Sequence, residues 1–319
     1  MRRALVTGAT GFVGGHICNA LLNAGYAVTA ATRRTKALQI NPDAKIVNVG
    51  EIGPDTDWRP ALDGVEIVIH AAARTHVLRD RKGISENAYR RINQEATAAL
   101  GYQAAISGVE RFIFLSSVKA GGERSLLGFP LSVDQAPAPD DFYGRTKLAA
   151  EKALLEVSCK QKMGVVVLRA PLIYGPWLKG NLLSLFNAVN RGIILPLKAV
   201  ENQRDMIYVM NLVDAILKSL QVSVHGCHTY YVCDGESVST AELIRRIASA
   251  LERTPRLFSC PLHLLRLMGW MTGNSQSVNR LTDTLQVDGQ SFCQDLEWSA
   301  PFSMKEGLAC TAAWYKSQR

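Results

Sequence analysis

The chain begins with a short apolar segment that runs directly into a glycine-rich loop, Ala4-Leu-Val-Thr-Gly8-Ala-Thr-Gly11-Phe-Val-Gly14. The apolar part predicts a buried strand, and a helix is expected from His16 to Ala24, ended by Gly25. Glycine lets the backbone turn tightly and approach a pyrophosphate, and a helix N-terminus favours an anion. The spacing is Gly-x-x-Gly-x-x-Gly rather than Gly-x-Gly-x-x-Gly, but strand, loop and helix together predict a dinucleotide site.

The second strand ends in a segment without an acidic residue, Val28-Thr-Ala-Ala-Thr32-Arg33-Arg34. At this point of a dinucleotide-binding unit an acid binds the ribose 2′-hydroxyl, whereas an arginine accommodates a 2′-phosphate. Thr32 stands where the acid would be, and Arg33 and Arg34 could pair with a phosphate. We therefore expect NADP(H) to be preferred, with NAD(H) possible. The alternative is that both arginines are solvated loop residues.

A tyrosine and a lysine lie one helical turn apart in Asp141-Phe-Tyr143-Gly-Arg-Thr-Lys147. Residues i and i+4 share one face of a helix, so the phenol would stand beside an ammonium. The ammonium can favour the phenolate, which ordinarily forms only near a pH of about 10. Such a tyrosine can exchange a proton with a substrate oxygen. Chance also supplies this spacing on surface helices, so the pair needs support from the rest of the chain.

That support comes from the alternation of apolar strands with helices. Strands are predicted at residues 4–7, 27–31, 45–49, 65–70, 111–116 and 164–168, and helices at 86–107 and 144–160. The pattern predicts an α/β fold with a doubly wound parallel sheet, in which ligands bind beyond the carboxyl ends of the strands. The residues that follow strand ends, and would therefore line one crevice, are Gly8, Arg33, Ala71, Ser117 and Pro171.

Composition narrows the class of protein. The chain has 319 residues, 47% of them apolar, which suits one large domain or two smaller ones. The sequence shows no apolar run of the roughly 20 residues that span a bilayer and no secretory signal. Seven scattered cysteines predict reduced thiols in the cytoplasm and no metal site. The net charge of +8 suits an anionic cofactor and substrate, whereas the dispersed basic residues and the lack of a recognition motif argue against nucleic acid.

Taken together, these motifs resemble the extended short-chain dehydrogenase/reductases, the NAD-dependent epimerase/dehydratase family of nucleotide-sugar 4-epimerases and 4-reductases. The resemblance extends from Ala4 to about Tyr315. It is carried by Thr7–Gly14, Val68–Ala73, Asn93, Phe114–Ser117, Tyr143–Lys147, Arg169–Pro176 and Arg204–Val209. It implies a Rossmann-like dinucleotide-binding domain at 1–175, to which 205–232 returns, and a smaller α/β nucleotide-sugar domain at 176–204 and 233–319. It also implies a homodimer formed through the helices at 86–107 and 144–160.

The resemblance assigns catalytic roles by position. Tyr143 would be the acid and base, and Lys147 would lower the pKa of Tyr143 and hold the nicotinamide ribose. Ser117 would hydrogen-bond the reacting oxygen of the substrate, whereas Ser116 would be structural. Asn93 would order the active-site helix and its water, or would be a plain polar residue of its helix.

It also implies contacts to ligands. Cofactor contacts fall on Gly8, Gly11, Phe12, Val13, Gly14, Arg33, Arg34, Glu51, Ile52, Ala71, Ala72, Ala73, Asn93, Tyr143, Lys147 and Pro171. On the substrate side, Asn181 and Leu182 would contact the diphosphate and base of a UDP-sugar, and Arg204 would grip the diphosphate. Arg280 would be a second arginine of that site or a surface residue of its helix.

Two departures bear on the reaction. Typical UDP-hexose 4-epimerases read Arg-Tyr-Phe-Asn where this chain reads Arg169-Ala-Pro-Leu172, so Leu172 replaces the asparagine. With the Arg33-Arg34 signal, this favours one-way, NADPH-dependent reduction of a UDP-4-keto-6-deoxy-N-acetylhexosamine, in a bacterial subgroup linked to O-antigen and other surface polysaccharides. The alternative is a UDP-hexose or UDP-N-acetylhexosamine 4-epimerase. A non-catalytic, cofactor-sensing protein is a third reading, and Val118-Lys119 after Ser117 argues against a dehydratase.

The segment from Pro261 to Gly273 is unusually apolar. A helix that covers the substrate domain is the favoured reading, and a contact with a membrane surface or a partner is the alternative. The segment is too short to span a bilayer.

Overall fold

Seven strands form one parallel sheet, and the direction of winding reverses inside it. The strands are β1 (Arg3–Thr7), β2 (Ala27–Thr32), β3 (Lys45–Asn48), β4 (Ile67–His70), β5 (Arg111–Ser117), β6 (Gly164–Ala170) and β9 (Cys227–Tyr231). Their order is β3-β2-β1-β4-β5-β6-β9, and every pair is parallel. The reversal between β1 and β4 marks the place where open α/β sheets bind ligands. The predicted doubly wound sheet is confirmed.

The computed structural model describes residues 1–33, 41–75, 84–161, 163–221 and 225–318. Its helices in the first part of the chain are α1 (Phe12–Asn23), α2 (Arg59–Leu62), α3 (Ile84–Tyr89), α4 (Ala96–Ile106) and α5 (Phe142–Gln161). In the second part they are α6 (Asn181–Asn190), α7 (Val209–Gln221), α8 (Thr240–Ala250), α9 (Leu262–Met271), α10 (Ser275–Thr282), α11 (Gln290–Asp295) and α12 (Met304–Ser317).

Both faces of the sheet are buried, because successive residues of each strand point to opposite sides. On β5, Ile113 joins the core beneath α1 and α7, whereas Phe112 and Phe114 join the core beneath α4 and α5. None of these three side chains is exposed to solvent. The strands therefore read as apolar runs without alternation, and the sheet holds its carboxyl edge as a rigid platform.

A separate apolar core supports the predicted substrate domain. It joins α6, α8 and α12 to a two-stranded parallel sheet of β7 (Leu172–Tyr174) and β8 (Met206–Tyr208). The prediction that residues 205–232 return to the main sheet is therefore wrong for β8, whose strand partner among the described residues is β7. The following α7 packs on the main core through Leu212 and Ile216, and β9 joins the main sheet.

The predicted boundary of the substrate domain also differs from the structure near its end. Phe292, Leu296 and Trp298 lie in the core of the main sheet and not in the substrate core. The ring of Phe292 contacts Tyr230 of β9 edge to face, with ring centroids 5.4 Å apart. Residues 292–298 therefore pack on the main core although they were assigned to the substrate domain. The division into two domains otherwise remains a proposal.

The long helix predicted at 86–107 is interrupted. Its middle, Arg90–Glu95, is a π-helix between α3 and α4. Such segments add a residue to one helical turn and occur mostly at functional sites. Here the π-helix carries Asn93, whose side chain is buried.

Candidate active site

The glycine loop leaves no room for side chains between β1 and α1. A Cβ atom on Gly14 would lie 2.1 Å from the carbonyl oxygen of Gly8, and one on Gly8 would lie 2.8 Å from the amide nitrogen of Ala72. Gly8 also has a φ of 68°, in the left-handed region that favours glycine. Gly11 is the N-cap of α1 and has no side chain to accept a hydrogen bond. The N–H groups of Phe12 and Val13, in the first turn, are therefore not capped by a side chain of Gly11. The loop forms a cradle of the kind that fits a pyrophosphate.

The floor of the crevice is the segment after β4, where Ala71, Ala72 and Ala73 pass beneath the glycine loop. A chain of hydrogen bonds fixes its position. The Ala72 N–H donates to Thr7 Oγ1 at 3.2 Å, Thr7 Oγ1 lies 2.7 Å from His70 Nδ1, and His70 Nε2 lies 2.9 Å from Thr97 Oγ1. The hydroxyl of Thr97 donates onward to the Asn93 carbonyl at 2.8 Å.

The direction of this chain requires a neutral imidazole. Thr97 spends its proton on Asn93, so it accepts from His70 Nε2, and His70 Nδ1 accepts from Thr7. Burial, with a smaller contribution from the charge of Lys147, lowers the pKa of His70 to about 3. From the sequence, His70 was identified only as a member of the Val68–Ala73 motif. Its role in holding the floor depends on Thr7 and Thr97, which are far from it in the sequence.

Asn93 holds the other end of the floor. Its Oδ1 accepts from the Arg74 N–H at 2.7 Å, and its Nδ2 donates to the Arg74 carbonyl at 3.0 Å. The same Nδ2 lies 3.4 Å from Thr146 Oγ1 on α5. Asn93 therefore links the crevice floor to α5, and its roles in ordering the active-site helix and in contacting a cofactor remain predictions.

Ser117 and Tyr143 meet at the carboxyl edge of the sheet, where the Ser117 side chain lies close enough to act on the pKa of Tyr143. Ser117 ends β5, and Tyr143 lies in the first turn of α5. Burial raises the pKa of Tyr143 to about 12, Ser117 acts in the opposite direction, and Asp141 and Tyr89 add to the rise. The structure therefore differs from the expectation that Lys147 lowers this pKa.

The reason lies in the surroundings of Lys147. Its ammonium donates to the Leu115 carbonyl at 2.7 Å and lies 3.9 Å from the centroid of the Phe114 ring. Burial lowers the pKa of Lys147 to about 7, although Glu151 acts to raise it. Near neutral pH the group is only partly charged, so its effect on the phenol is reduced.

A buried ion pair lies against the end of β5, the strand that carries Ser116 and Ser117. Arg169 donates to Glu151 at 2.7 Å, and their side chains are only 5% and 6% exposed. The Ser116 hydroxyl donates to the same carboxylate, and Arg169 also donates to the Tyr231 hydroxyl at 3.3 Å. Ser116 points away from the crevice into this network, which agrees with the structural role predicted for it.

A second ion-pair group clasps the start of α5 to the end of β5. Lys119 Nζ lies 2.8 Å from Glu123 Oε1 and 2.5 Å from Asp141 Oδ2, and Asp141 Oδ1 accepts from the Gly144 N–H at 2.7 Å. Burial alone would raise the pKa of Asp141, but the bonds from Lys119 and Gly144 outweigh burial and lower it. We refer to Lys119, Glu123 and Asp141 as the clasp. Only Lys119, two residues after Ser117, was noted in the sequence, and its pairing with Glu123 and Asp141 depends on the fold.

The remaining predicted cofactor residues lie around the same crevice. Arg33 Nη1 is 3.9 Å from Glu51 Oε2, so these two predicted contacts of the adenosine end lie together, and both are well exposed. Ile52 is half-buried against the core beneath α4 and α5, and Pro171 is buried between β6 and β7. Arg34 lies outside the described residues.

The predicted substrate residues lie on the substrate core and beside it. Arg204 Nη1 donates to the Asp283 carbonyl at 2.9 Å. Burial lowers the pKa of Arg204, Asp283 acts to raise it, and the charge of Arg280 adds a smaller lowering. The two charges are therefore within electrostatic range of each other, although Arg280 is 76 residues further along the chain. Asn181 is exposed at the start of α6, but the Leu182 side chain is buried in the core, which leaves only its backbone for the predicted base contact.

The described residues contain no group of three or more His, Cys, Asp or Glu side chains arranged to hold a metal ion. Within the same ranges, no helix is both long enough and apolar enough to cross a membrane.

Residues 4–233 match the family model described as the NAD dependent epimerase/dehydratase family. The chain belongs to this family. Its relatives include a UDP-glucose 4-epimerase of Vibrio cholerae, which is 38% identical over 97% of this chain and 94% of that protein. An N-acetyl-α-D-glucosaminyl-diphospho-ditrans,octacis-undecaprenol 4-epimerase of Escherichia coli O157:H7 is 24% identical over 95% of this chain and 92% of that protein. Among solved structures, MoeE5 in complex with UDP-glucose and NAD has a TM-score of 0.78 and 26% identity, covering 99% of each chain.

Membership of the NAD dependent epimerase/dehydratase family explains why the crevice is built as it is. The chain is an enzyme of the short-chain dehydrogenase/reductase type. The tight cradle at Gly8 and Gly14 and the free start of α1 fit the pyrophosphate of NAD.

The closeness of the cradle gives a direct test of NAD binding. We expect Gly14→Ala to lower the free energy of unfolding by about 1–3 kcal/mol, because its Cβ would overlap the Gly8 backbone and displace the loop. NAD affinity, measured by calorimetry, should fall at least about tenfold, which corresponds to about 1.4 kcal/mol. Gly15→Ala is a matched control, because the atom nearest to its added Cβ is 3.7 Å away. Equal NAD affinity of both variants would contradict the cradle.

Proposed function

We propose that the protein is an NAD-dependent UDP-sugar 4-epimerase. The observation that carries the proposal is the convergence of Ser117, at the end of β5, and Tyr143, in the first turn of α5, beside the glycine cradle. The Vibrio cholerae relative is named for 4-epimerisation of UDP-glucose, and MoeE5 was solved with UDP-sugars and NAD. The proposal revises the reductase reading of the sequence and adopts its alternative.

In this mechanism the chain moves one proton and steadies one oxygen. Tyr143 takes the proton of the C4 hydroxyl of the sugar, and the Ser117 hydroxyl hydrogen-bonds the same oxygen as it becomes a ketone. When bound, NAD would supply a reversible hydride acceptor at C4, and inversion requires the ketone to present its opposite face when the hydride comes back. Tyr143 then gives the proton back to the oxygen, which completes inversion at C4.

Lys147 and Asn93 support this exchange. In the structure Lys147 is held by the Leu115 carbonyl, within reach of the α5 face that carries Tyr143. We infer that its ammonium would hold the nicotinamide ribose of bound NAD. Asn93 keeps α5 and the crevice floor in register.

Two arginines would hold the other end of the substrate. A diphosphate carries negative charge that two guanidinium groups can pair with through bidentate hydrogen bonds. Arg204 and Arg280 supply these groups, with Asn181 at the start of α6. This arrangement would leave the sugar free to turn between the two faces that hydride transfer requires.

The experiment that tests the function uses the purified enzyme without added cofactor. UDP-glucose and UDP-N-acetylglucosamine are supplied separately, and the products are separated by chromatography. We expect the corresponding galacto epimer from at least one of them, because an epimerase returns its hydride within each turnover. Failure to form either epimer, with or without added NAD, would overturn the proposal.

A one-way 4-keto reductase is the second candidate, and Leu172 favours it. This residue stands where typical epimerases have asparagine, and its side chain is 43% exposed at the start of β7. A 4-keto-6-deoxy sugar has a methyl group at C6, which an apolar neighbour accommodates better than a hydroxyl. Net consumption of NADPH with a UDP-4-keto-6-deoxy-N-acetylhexosamine would identify this activity and would favour a role in surface polysaccharide synthesis.

Cofactor preference separates the candidates further. A reductase of this kind would prefer NADPH, and Arg33 is the described residue placed to contact a 2′-phosphate. In that case Arg33→Ala should weaken NADP(H) binding about tenfold, since hydrogen bonds to charged groups contribute about 1.5–3 kcal/mol and this side chain is largely exposed. NAD(H) affinity should not change. Arg59→Ala, on α2, is a matched loss of an exposed arginine. Equal affinity of the wild type for both cofactors would exclude the NADPH preference.

A further inference from the structure

The outward face of α9 is apolar although it contacts solvent. Only Leu265 and Gly269 of this helix are buried. The exposed apolar side chains of α9 are Leu262, Leu264, Leu267, Met268, Trp270 and Met271, with exposed fractions from 37% to 73%. Trp270 is the most exposed of them. The helix therefore covers the substrate core with one face, as predicted, and leaves the opposite face uncovered.

Two segments connected to α9 also expose apolar side chains. Residues 191–198 and 253–258 lie side by side, joined where the Leu195 N–H donates to the Arg256 carbonyl at 2.9 Å and the Phe258 N–H donates to the Leu195 carbonyl at 3.1 Å. Ile193, Ile194 and Phe258 are each about half exposed on them. Phe258 is four residues before α9. We refer to α9 together with residues 191–198 and 253–258 as the α9 surface.

The charges on the α9 surface have one sign. Its basic residues are Arg191, Lys198, Arg253, Arg256 and Arg266, and all five are exposed. The sequence contains no Asp or Glu in residues 191–200 or 253–282. Three acids lie at its border: Glu201, which is exposed, Glu252, which pairs with Lys316 at 2.8 Å, and Asp283, which pairs with Arg266 at 3.2 Å.

These properties decide between the possible occupants. A symmetric dimer would place the same surface of two copies face to face, and five cations on each side would then meet without acids between them. An anionic bilayer satisfies both properties, because its headgroups pair with the cations and its interface accepts a helix face of Leu, Met and Trp. Tryptophan in particular favours that interface.

We propose that the α9 surface docks on anionic phospholipid membranes. The helix lies in the headgroup region, with Trp270 and Met271 inserted and with Arg191, Lys198, Arg253 and Arg256 on lipid phosphates, whereas Arg266 keeps its pairing with Asp283. The surface adjoins the candidate substrate site, since Arg266 of α9 pairs with Asp283, whose carbonyl accepts from Arg204. Docking therefore brings the mouth of that site to the membrane without taking part in the proton transfer.

Vesicle co-sedimentation tests the proposal with the full chain. We expect the wild type to bind vesicles of phosphatidylcholine mixed with phosphatidylglycerol, and to bind pure phosphatidylcholine much more weakly. Arg253→Gln with Arg256→Gln should weaken binding to the mixed vesicles about thirtyfold, since each basic residue near an anionic surface contributes about fivefold. Trp270→Ser with Met271→Ser should weaken it at least as much, because the inserted area is lost.

The controls remove the same chemistry elsewhere. Lys45→Gln with Lys305→Gln removes two exposed cations, and Ile46→Ser removes an exposed apolar side chain; both should bind vesicles as the wild type does. Thermal unfolding midpoints confirm that the variants fold. Absence of wild-type binding, or equal binding by the α9 variants, would overturn the proposal. A smaller assembly for Trp270→Ser with Met271→Ser in lipid-free solution would also overturn it, because the surface would then be a contact between copies.

Discussion

Tyr143→Phe should reduce turnover by at least about 10²-fold, the contribution typical of a positioned acid or base. The substitution removes only the hydroxyl that exchanges the proton, and the ring remains in contact with Tyr89, whose centroid is 6.4 Å away. NAD affinity should therefore change little. The measurement is kcat with the active UDP-sugar, alongside calorimetric titration of NAD.

Tyr102→Phe is the control for this substitution, since Tyr102 lies on α4 with 55% of its side chain exposed. We expect it to retain wild-type turnover. If Tyr143→Phe also retained turnover, another group would have to move the proton, and the role assigned to the Ser117–Tyr143 pair would be wrong.

The second large effect concerns the buried ion pair. Glu151→Ala should lower the free energy of unfolding by about 3–5 kcal/mol, because Arg169 would keep its charge in the core without a carboxylate partner. The bond from Ser116 would be lost as well, which loosens the strand end that presents Ser117. Urea unfolding, followed by circular dichroism, measures the change.

Two variants show whether the lost pair is the cause. Glu151→Leu combined with Arg169→Met removes both charges and should recover much of the loss, since buried pairs can often be replaced by apolar residues of similar volume. Glu252→Ala breaks an exposed pair with Lys316 and should leave the unfolding midpoint unchanged. A wild-type midpoint for Glu151→Ala would contradict the argument.

The sequence predicted those parts of the fold and site that depend on neighbours along the chain. The strand, loop and helix at Ala4–Asn23 follow from local glycine spacing and apolar character, and Tyr143 and Lys147 follow from the period of one helix. Ser117 followed from its place at the end of a predicted strand. These features need no knowledge of which strands pair.

The parts that sequence reasoning missed depend on distant partners. Glu151 and Arg169 are 18 residues apart, and His70 joins Thr7 to Thr97 across three elements. Burial, which no motif shows, determines that the pKa of Tyr143 rises and that of Lys147 falls. The three residues of β8 were assigned to the main sheet because a short apolar strand does not identify its neighbour.

The clasp bears on how much the loop between Lys119 and Asp141 can vary in this enzyme. Lys119 and Asp141 join the two ends of an intervening loop, and the Ala138 N–H donates to the Gly121 carbonyl at 2.8 Å just inside them. The ends stay together whatever the loop contains, and doubling the length of a flexible loop costs only about 0.6 kcal/mol in closure entropy. Within residues 122–137, Ser125 and Leu131 bond to Thr284 and Gln286, so insertions between these anchored points should leave the separation of Ser117 and Tyr143 unchanged. The clasp thus separates the length of the loop from the geometry of the Ser117–Tyr143 pair.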